Sequence, residues 1–375
     1  MIKSERSFER AKAMERNKKR YTIYDVAKQA SVSPSTVSHV LNGTASISEE
    51  TQKRIRAAIR ELNYRPNANA RALRQLHSHI LGVTFPDIAS EYYAACTASI
   101  IQHAQRRKYV VLASDLHFDN NVLAASIPAL VERRVDGLIF IGGTEDEAYL
   151  RMAVDAGVPV VLGDRCVEGF PCVQFNNFET MRKLVCALYD AGYRRFGYTG
   201  ETPKQQQNLE QRFNGFRSGL QLKDVPPENG LILINERMDL SRKMPSAYRQ
   251  FYRYFRETPA GRLPEVLLTS NDMIAQGVIS AALRVGLRVP EDIAVFGFDN
   301  ISIAECSTPA ISSVVQDPYT LGERCFDMLL RRMRGERCEN VMLEQQIVVR
   351  ASAPLAEAYL NANGLCVVDN WQEEL

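Results

Sequence analysis

A cluster of small polar side chains follows the short segment Ser31–Ser33 near the start of the chain. If the residues from Pro34 to Asn42 form a helix, Val37 and Leu41 fall on one side and point inward. The other side then carries hydroxyls, an imidazole and an amide but no acid: Ser33, Ser35, Thr36, Ser38, His39 and Asn42. These groups can make hydrogen bonds at close range, so this surface suits phosphate oxygens and the edges of nucleic-acid bases.

Capping residues define the helices that would position this surface. Thr22 with Asp25 three residues later is a capping-box pattern, which predicts a first short helix. Ser33 followed by Pro34 is typical of the start of a second helix, because proline is tolerated at the first helical position. Ser48 precedes a third amphipathic segment. The sequence therefore predicts three short helices, the first two joined by a tight turn.

Four strings in a fixed order make this prediction more specific: TIYDVA, VSPSTVSHVLNG, ELNYRPN and ARAL. This order resembles the N-terminal region of the LacI-type repressors, the family of the lactose, galactose and purine repressors. The resemblance extends from Tyr21 to about Ala353. It implies an all-α helix-turn-helix DNA-binding head with a hinge helix, followed by an α/β effector domain of two lobes with parallel sheets, like a periplasmic binding protein.

The rest of the chain alternates short apolar segments with amphipathic ones. Near-continuous apolar strands separated by helices indicate parallel sheets that are covered on both faces. Two such series predict two lobes, and ligands of such sheets bind beyond the carboxyl ends of the strands. The first series is ILGVTF, YVVLAS, GLIFIG, PVVLGD and CVQF, and the second is FGYTG, LILIN, EVLLTS and IAVFGF.

These patterns and the resemblance together divide the chain into five parts. They are a disordered basic arm over 1–20, a helix-turn-helix domain over 21–65, a hinge over 66–78, an effector-binding and dimerisation domain over 79–353, and a tail over 354–375. By resemblance, lobe one comprises about 79–177 and 312–338, and lobe two comprises about 178–311 and 339–353. The tail is too short for a convincing coiled coil, which favours a homodimer over a tetramer.

The charge is distributed unevenly along the chain. The formal net charge is only +2, but residues 1–75 hold 16 Lys and Arg against 7 Asp and Glu, whereas the remainder holds 30 against 37. A basic head on an acidic body indicates that the head meets a polyanion. No apolar run is long enough to span a membrane, so we expect a cytoplasmic, nucleoid-associated protein.

The eight cysteines are scattered and show no CxxC spacing. We expect reduced thiols rather than a disulfide framework or a zinc site. The sequence also lacks a Walker loop, a GxGxxG fingerprint, HExxH and GxSxG. We therefore expect no catalytic residues, no metal and no cofactor.

The resemblance assigns roles to residues of the head. Ser35 and His39 lie four apart on one helix face and are the expected readers of base edges, with Pro34 against a thymine methyl group. The expected contacts with the DNA backbone are Thr22, Tyr24, Ser33, Thr36, Ser38 and Asn42. The segment Asn67–Leu73 would form a hinge helix that orders on DNA, with Leu73 wedged into a minor-groove step. A dimer would bind a pseudo-palindromic operator.

Polar residues directly after strands predict an effector site between the lobes. The resemblance implies that residues at these positions line the effector pocket of the family, and the expected effector-binding residues are Tyr92, Asp164, Arg165, Arg212, Asn271 and Asp299. Carboxylates, an amide, a guanidinium and a tyrosine suit a polyol such as a sugar. For each residue, loop capping or a salt bridge between lobes is the alternative. The amide-rich run QQQNLEQR over 205–212 replaces the cationic contact of purine-binding members, and NERMDLSRKMPSAY over 235–248 departs from the family pattern.

The sequence thus predicts a DNA-binding transcriptional regulator, most simply a repressor of carbohydrate-utilisation genes controlled by a sugar or sugar derivative. One alternative is a regulator of purine or nucleoside genes. A second is a sugar-binding module without DNA regulation, which would not explain the basic head. Repression and activation are not distinguished, because they depend on where the operator lies.

Overall fold

The structure is a computed structural model that describes residues 21–42, 45–64, 77–143, 147–202, 206–234 and 238–368. The chain divides into two compact units, with the division between Ser78 and His79. The arm predicted over 1–20 and the hinge helix predicted over Asn67–Leu73, Leu73 included, lie outside the described residues.

Three helices make up the described part of the first unit: α1 Ile23–Gln29, α2 Pro34–Asn42 and α3 Glu49–Glu61. The capping box predicted at α1 is present, because the Asp25 side chain accepts from the Thr22 backbone N–H at 2.7 Å and Thr22 accepts in return. Ser48 caps α3 through the Thr51 backbone N–H. The core that the three helices enclose consists of Val26, Ala27, Ala30, Val37, Ile55 and Ala58.

The second unit contains two parallel or mostly parallel sheets. The sheet of lobe one has six strands in the order β11-β5-β4-β3-β1-β2, all parallel. Its strands are β1 Ile80–Phe85, β2 Val110–Asp115, β3 Gly137–Ile141, β4 Val160–Gly163, β5 Cys172–Phe175 and β11 Val341–Leu343. The helices of this lobe are α4 Glu91–Arg106, α5 Asn120–Glu132, α6 Glu147–Asp155 and α12 Pro318–Met333.

The sheet of lobe two has seven strands in the order β13-β12-β10-β9-β8-β6-β7, and only the β10–β12 pair is antiparallel. Its strands are β6 Phe196–Gly200, β7 Gly230–Ile234, β8 Val266–Thr269, β9 Ala294–Asp299, β10 Ser312–Val315, β12 Gln346–Val348 and β13 Cys366–Val367. Its helices are α7 Asn177–Asp190, α8 Gln207–Leu222, α9 Lys243–Glu257, α10 Asp272–Arg284, α11 Ser302–Cys306 and α13 Glu357–Ala362. Short 3₁₀ turns lie at Pro227–Asn229, Leu240–Arg242 and Ala260–Arg262.

Each sheet is buried on both faces, which explains the continuous apolar strands. In lobe one, Ile139 faces the side covered by α4 and α12, whereas its neighbour Phe140 faces α5 and α6. A Cβ on Gly322 of α12 would lie 2.6 Å from the Cβ of Ser99, so only glycine lets α12 and α4 approach this closely. The predicted α/β fold with two parallel sheets is confirmed.

Two segments differ from the expected division of the lobes. The strand β10 pairs with β9 and β12, so 312–315 belongs to the sheet of lobe two and not of lobe one. The strand β11 pairs with β5, so 341–343 belongs to lobe one. These strands are three or four residues long and lie at the crossings between lobes, where strand partners rather than apolar pattern decide membership.

The described part of the tail is built into lobe two. Leu355, Leu360 and Leu365 are buried in the core beside α7. The last strand, β13, adds to the sheet next to β12. The segment up to residue 368 is therefore a structural part of the lobe.

The expectation that all cysteines are free thiols is wrong at one place. Cys166, which follows β4, and Cys172, which begins β5, are joined by a disulfide with their Cα atoms 5.4 Å apart, a separation typical of disulfides. The connection between the two strands doubles back and brings them together without a CxxC spacing. The free cysteines are Cys96, Cys186, Cys306, Cys325, Cys338 and Cys366.

Within the described residues, no helix combines the length and the apolar character that a membrane crossing requires.

Candidate functional site

The N-terminus of α2 carries an organised set of hydroxyls. The Ser33 Oγ accepts from the Thr36 backbone N–H at 3.1 Å and lies 2.7 Å from the Ser35 Oγ and 2.8 Å from the Thr36 Oγ1. These contacts confirm Ser33 as the helix cap. A helix N-terminus without acidic residues attracts phosphate groups, because its free N–H groups and its dipole favour negative charge.

The predicted DNA-contacting side chains of the head differ in exposure. Ser35 and His39 are exposed, and Tyr24 of α1 is 66% exposed although it is a large aromatic residue. The half-buried members of the set are Pro34, Thr36 and Ser38, and the exposed ones include Thr22 and Ser33. The Asn42 side chain lies outside what the structure describes. The geometry thus presents Ser35 and His39 outward from one helix, as predicted.

The body contains a second polar cluster, centred on Arg212 of α8. This side chain is 2% exposed. Its Nη2 lies 3.3 Å from the Asp299 Oδ1, and its Nε donates to the Asn177 Oδ1 at 3.0 Å. Its Nη1 donates to the Ser270 carbonyl, and the guanidinium lies 3.7 Å from the centre of the Phe298 ring. The guanidinium is thus held on every side by lobe two.

Asp164 approaches this cluster from lobe one. It follows β4, is 2% exposed, and accepts from the Asn208 Nδ2 of α8 at 2.8 Å. Burial raises the pKa of Asp164 to about 7, against the opposing effect of Arg212. Its backbone has φ of +58°, an unusual conformation for a residue with a side chain. A carboxyl in this environment can donate or accept a hydrogen bond near neutral pH.

Asp299 shows the same features at the end of β9. Its φ is +99°, and the next residue, Asn300, also has a positive φ of +56°. Its Oδ1 accepts from the Gln316 Nε2 at 2.8 Å. Burial raises the pKa of Asp299, and Arg212 opposes this shift. Strained backbone that carries functional side chains is common at ligand sites.

Tyr92 and Tyr93 of α4 complete the cluster on the side of lobe one. Their rings are 5.3 Å apart in an edge-to-face arrangement. The Tyr93 hydroxyl donates to the Gln206 Oε1 of lobe two at 3.2 Å. Among the described residues, the buried Tyr92 hydroxyl and the Asp164 Oδ1 make no hydrogen bond of ordinary geometry, although the Tyr92 hydroxyl is close enough to Asp164 to lower the pKa of that carboxyl. Buried polar atoms without partners are costly unless a ligand or water satisfies them.

Two predicted effector residues have other roles in this structure. The Asn271 Oδ1 caps α10 through the Ile274 N–H at 3.0 Å, and its Nδ2 donates to Glu201 at 2.9 Å. Its polar atoms are therefore used for capping and for a contact within lobe two. Arg165 reaches the Gly142 carbonyl at 3.4 Å and borders a small cavity of about 220 Å³ that Gln207 also lines.

The sequence analysis missed a further ion pair beside the cluster. The Glu201 Oε1 lies 2.8 Å from the Lys243 Nζ, and the same ammonium lies 5.7 Å from the Phe118 ring of lobe one. Burial raises the pKa of Glu201, but Lys243 more than offsets this, so the pKa lies below its usual range. Glu201 directly follows β6, and the rule that selected Asp164 and Asp299 would also have selected it.

The two lobes touch through polar contacts around the cluster. Besides the Asn208–Asp164 and Tyr93–Gln206 hydrogen bonds, Glu91 of α4 accepts from the Ser302 backbone N–H at 2.8 Å and from its hydroxyl at 2.6 Å. The cleft between the lobes is thus closed over the polar cluster. Among the described residues, no group of three or more His, Cys, Asp or Glu could hold a metal ion.

A small helix-turn-helix unit joined to a two-lobed α/β body with a buried polar cleft defines a DNA-binding regulator with a ligand-binding domain. Residues 22–67 match the model of the bacterial regulatory proteins of the lacI family, and 185–353 match that of a periplasmic binding protein-like domain. The chain belongs to the lacI family of bacterial regulatory proteins and is a DNA-binding transcription regulator.

Alignments with similar proteins cover most of the chain. It is 31% identical over 339 residues to catabolite control protein A of Staphylococcus aureus, with 88% of this chain and 98% of that protein covered. Catabolite control protein A of Priestia megaterium is 30% identical over 343 residues, with the same coverage. The structure of the lac repressor dimer bound to operator and the anti-inducer ONPF aligns with a TM-score of 0.78 at 26% identity, covering 90% of this chain and all of that one.

Proposed function

We propose that this protein represses carbohydrate-utilisation genes and that a neutral sugar or sugar derivative, bound between the lobes, controls its binding to an operator. The observation that carries the proposal is the buried cluster of Asp164, Arg212 and Asp299 with Tyr92. It supplies two carboxylates, a held guanidinium and an aromatic ring, and the Tyr92 hydroxyl and the Asp164 Oδ1 are buried in it without a well-formed hydrogen bond. Hydroxyl groups of a polyol would satisfy those atoms.

The charges in the cleft favour a neutral ligand. Arg212 already pairs with Asp299, and Lys243 already pairs with Glu201. An anionic group on the ligand would therefore be repelled by Asp299, Glu201 and Asp164. The cations of the two ion pairs, Arg212 and Lys243, already have carboxylate partners. Burying an anion without a matching charge is strongly unfavourable. We infer that sugar phosphates and sugar acids bind more weakly than the corresponding neutral sugars.

The remaining predicted site residues fit the same proposal. Arg165 would contact the end of the effector nearest the small cavity, and Asn271 would act by holding Glu201 in place. These two roles are weaker than those of the central cluster, because both side chains also have structural contacts.

The head would act as a pair of reading units in a homodimer. One head reaches only a few base pairs, so two heads on a pseudo-palindromic operator give the required specificity. Ser35 and His39 would contact base edges and Pro34 a thymine methyl group. Thr22, Tyr24, Ser33, Thr36, Ser38 and Asn42 would position the DNA backbone. Leu73 would wedge into a minor-groove step, and ordering of its hinge would couple the cleft to DNA.

We also propose that the protein is not an enzyme and that it acts on the chromosome in the cytoplasm. The similar proteins are transcription regulators, which supports both statements. Asp164 and Asp299 are both in the cleft, but each is held by contacts that suit ligand binding. A reaction is not needed to explain either carboxylate.

Thermal shift of the full-length protein against neutral sugars, sugar phosphates and nucleobases tests the ligand class. We expect stabilisation by a neutral sugar, lost in Asp299→Asn and kept in the control Asp292→Asn, whose ion pair with Arg288 is separate from the cluster. Stabilisation by nucleobases alone would instead establish a purine regulator.

DNA binding is tested by selection of duplexes from a randomised pool, followed by titration. We expect affinity to fall with salt at a log–log slope of about −0.9 per phosphate contact. The neutral sugar should change that affinity. A protein that binds a sugar but retains no duplex would be a sugar-binding module without regulation.

A further inference from the structure

The disulfide partners Cys166 and Cys172 lie at the edge of the cleft. Cys166 is two residues after Asp164 and directly follows Arg165, whereas Cys172 begins the neighbouring strand β5. Both cysteines are thus joined to the segment that carries a central residue of the cluster. Neither contributes to the proposed contacts with DNA or effector.

The two thiols differ in accessibility and in freedom to move. Cys172 is fully buried, its N–H donates to the Asn340 Oδ1 at 3.2 Å, and it pairs with Leu162 in the sheet. Cys166 is half-buried on a connecting loop and borders the cavity of about 220 Å³. A small reagent can therefore reach Cys166 first, while Cys172 is held in place to react second.

The loop that carries Cys166 also touches lobe two. The Cys166 backbone N–H donates to the Gln207 Oε1 at 2.7 Å, a contact between residues 41 positions apart. Gln207 is the first residue of α8, the helix that also carries Asn208 and Arg212. The position of the Cys166 backbone therefore bears directly on the contact between the lobes.

We propose that Cys166 and Cys172 form a reversible thiol–disulfide site that fixes the loop over 166–171 against α8 and so stabilises the closed lobes. In the oxidised state Cys166 is tied to β5, and its N–H is held towards Gln207. In the reduced state the loop keeps only its backbone contacts, and the link to Gln207 weakens. Only the consequence of this site for effector binding rests on the proposed function.

A small disulfide such as glutathione disulfide would supply the oxidant. The Cys166 thiolate attacks one sulfur of the reagent, which forms a mixed disulfide and releases one glutathione thiolate. The Cys172 thiolate then attacks the Cys166 sulfur and releases the second glutathione. Two protein thiols lose two electrons and two protons in total, and glutathione disulfide becomes two glutathione molecules. Excess reduced glutathione reverses both steps.

Mass spectrometry of the full-length protein tests the modification. After phosphine reduction and unfolding in denaturant, iodoacetamide should alkylate all eight cysteines, whereas after equilibration with glutathione disulfide and the same unfolding it should leave Cys166 and Cys172 unalkylated. Trypsin cleaves after Arg165 and Arg182, so a single peptide contains both reacting cysteines. We expect the oxidised peptide to be unalkylated and two hydrogens lighter than the same peptide with both thiols free. A fully alkylated peptide after oxidation would overturn the proposal.

Amide hydrogen exchange tests the link to α8. Oxidation should slow exchange over 206–212 in the wild type and leave it unchanged in Cys166→Ser and Cys172→Ser. The control Cys306→Ser, which removes an exposed free thiol, should respond like the wild type. A disulfide that forms without slowing exchange there would refute the coupling. These measurements use no sugar, so they stand or fail separately from the proposed ligand class.

Discussion

The head and the cleft hold their functional side chains in opposite environments. In the head, Ser35 and His39 are exposed and lie outside the apolar core. In the cleft, Arg212 and Asp164 are buried and bonded to groups from several elements. Exposed side chains can be replaced with little effect on folding, whereas a buried charge and its partners depend on each other. Function and stability should therefore be separable in the head and inseparable in the cleft.

The largest expected effect comes from Arg212→Ala. This change leaves Asp299 buried without its partner cation, and breaking a buried ion pair costs about 3–5 kcal/mol. Urea unfolding of the full-length protein should show this loss in the transition of the body. The control Arg217→Ala removes an exposed guanidinium from the same helix and should change stability by less than about 0.5 kcal/mol. Equal stability of the two variants would contradict the dependence of the cleft on the buried Arg212.

The second effect is the pH dependence due to Asp164. Its pKa is about 7 in the folded protein and 3.8 in an unperturbed aspartate, so between these values the folded state holds a proton that the unfolded state has lost. Stability contributed by this group therefore falls as pH rises from about 4 to 7, by up to about 1.4 kcal/mol per pH unit.

Asp164→Asn should remove this slope, which denaturant midpoints measured from pH 5 to 8 would show. The control Asp292→Asn replaces a half-buried carboxyl whose pKa is lowered to about 2 by its hydrogen bonds with Arg288. That group does not titrate in this range, so the slope should stay as in the wild type. A slope that is the same in all three proteins would contradict the burial of a protonated Asp164.

The third effect concerns the head, where operator affinity should change without a change in stability. His39→Ala should weaken operator binding by about 1–3 kcal/mol, the usual value of a specific base contact, and relax specificity at one base pair. Fluorescence anisotropy with matched and mutated duplexes would measure it. Stability should not change, because His39 is exposed. Gln29→Ala, at another exposed position of the head, should leave affinity unaltered. Loss of stability in His39→Ala would contradict the separation of function from stability in the head.

The smallest effect is expected from a helix cap. Ser48→Ala removes the side chain that accepts from the Thr51 N–H at the start of α3, which should cost the head about 1 kcal/mol. Faster amide exchange over 49–61 in the full-length protein would report it, with exchange over 294–299 as the internal reference. Ser48→Asp should restore protection, since aspartate also caps helices. Failure of that rescue would show that the cap is not the cause.

Local patterns in the sequence predicted most of the fold. The capping box at Thr22 and Asp25 involves residues three apart, so both partners are visible in one string. Nine of the thirteen described strands, β1 to β9, were visible as apolar runs, because most of them are buried on both faces of a sheet. The short strands β10 and β11 were assigned to the wrong lobes, because their neighbours come from distant parts of the chain.

The candidate site could be predicted only in part. The rule of acids after strands selected Asp164 and Asp299, which the structure places beside α8, because parallel strands end at one edge of a sheet. The role of Asn271 depends on Glu201, which is 70 residues away, and the Glu201–Lys243 pair likewise joins segments that are distant in the sequence. Likewise, the pairing of Cys166 with Cys172 depends on how the chain turns between β4 and β5. Such partnerships are created by tertiary structure, and no spacing rule reveals them.

One helix bears on both halves of the cleft at once. Asn208 and Arg212 are four residues apart on α8, so they lie about 6 Å from each other along a rigid rod. Asn208 donates a hydrogen bond to Asp164 of lobe one, whereas Arg212 forms an ion pair with Asp299 within lobe two. A ligand that replaced the Asn208–Asp164 hydrogen bond would therefore also disturb the Arg212–Asp299 ion pair, because one helix carries both side chains.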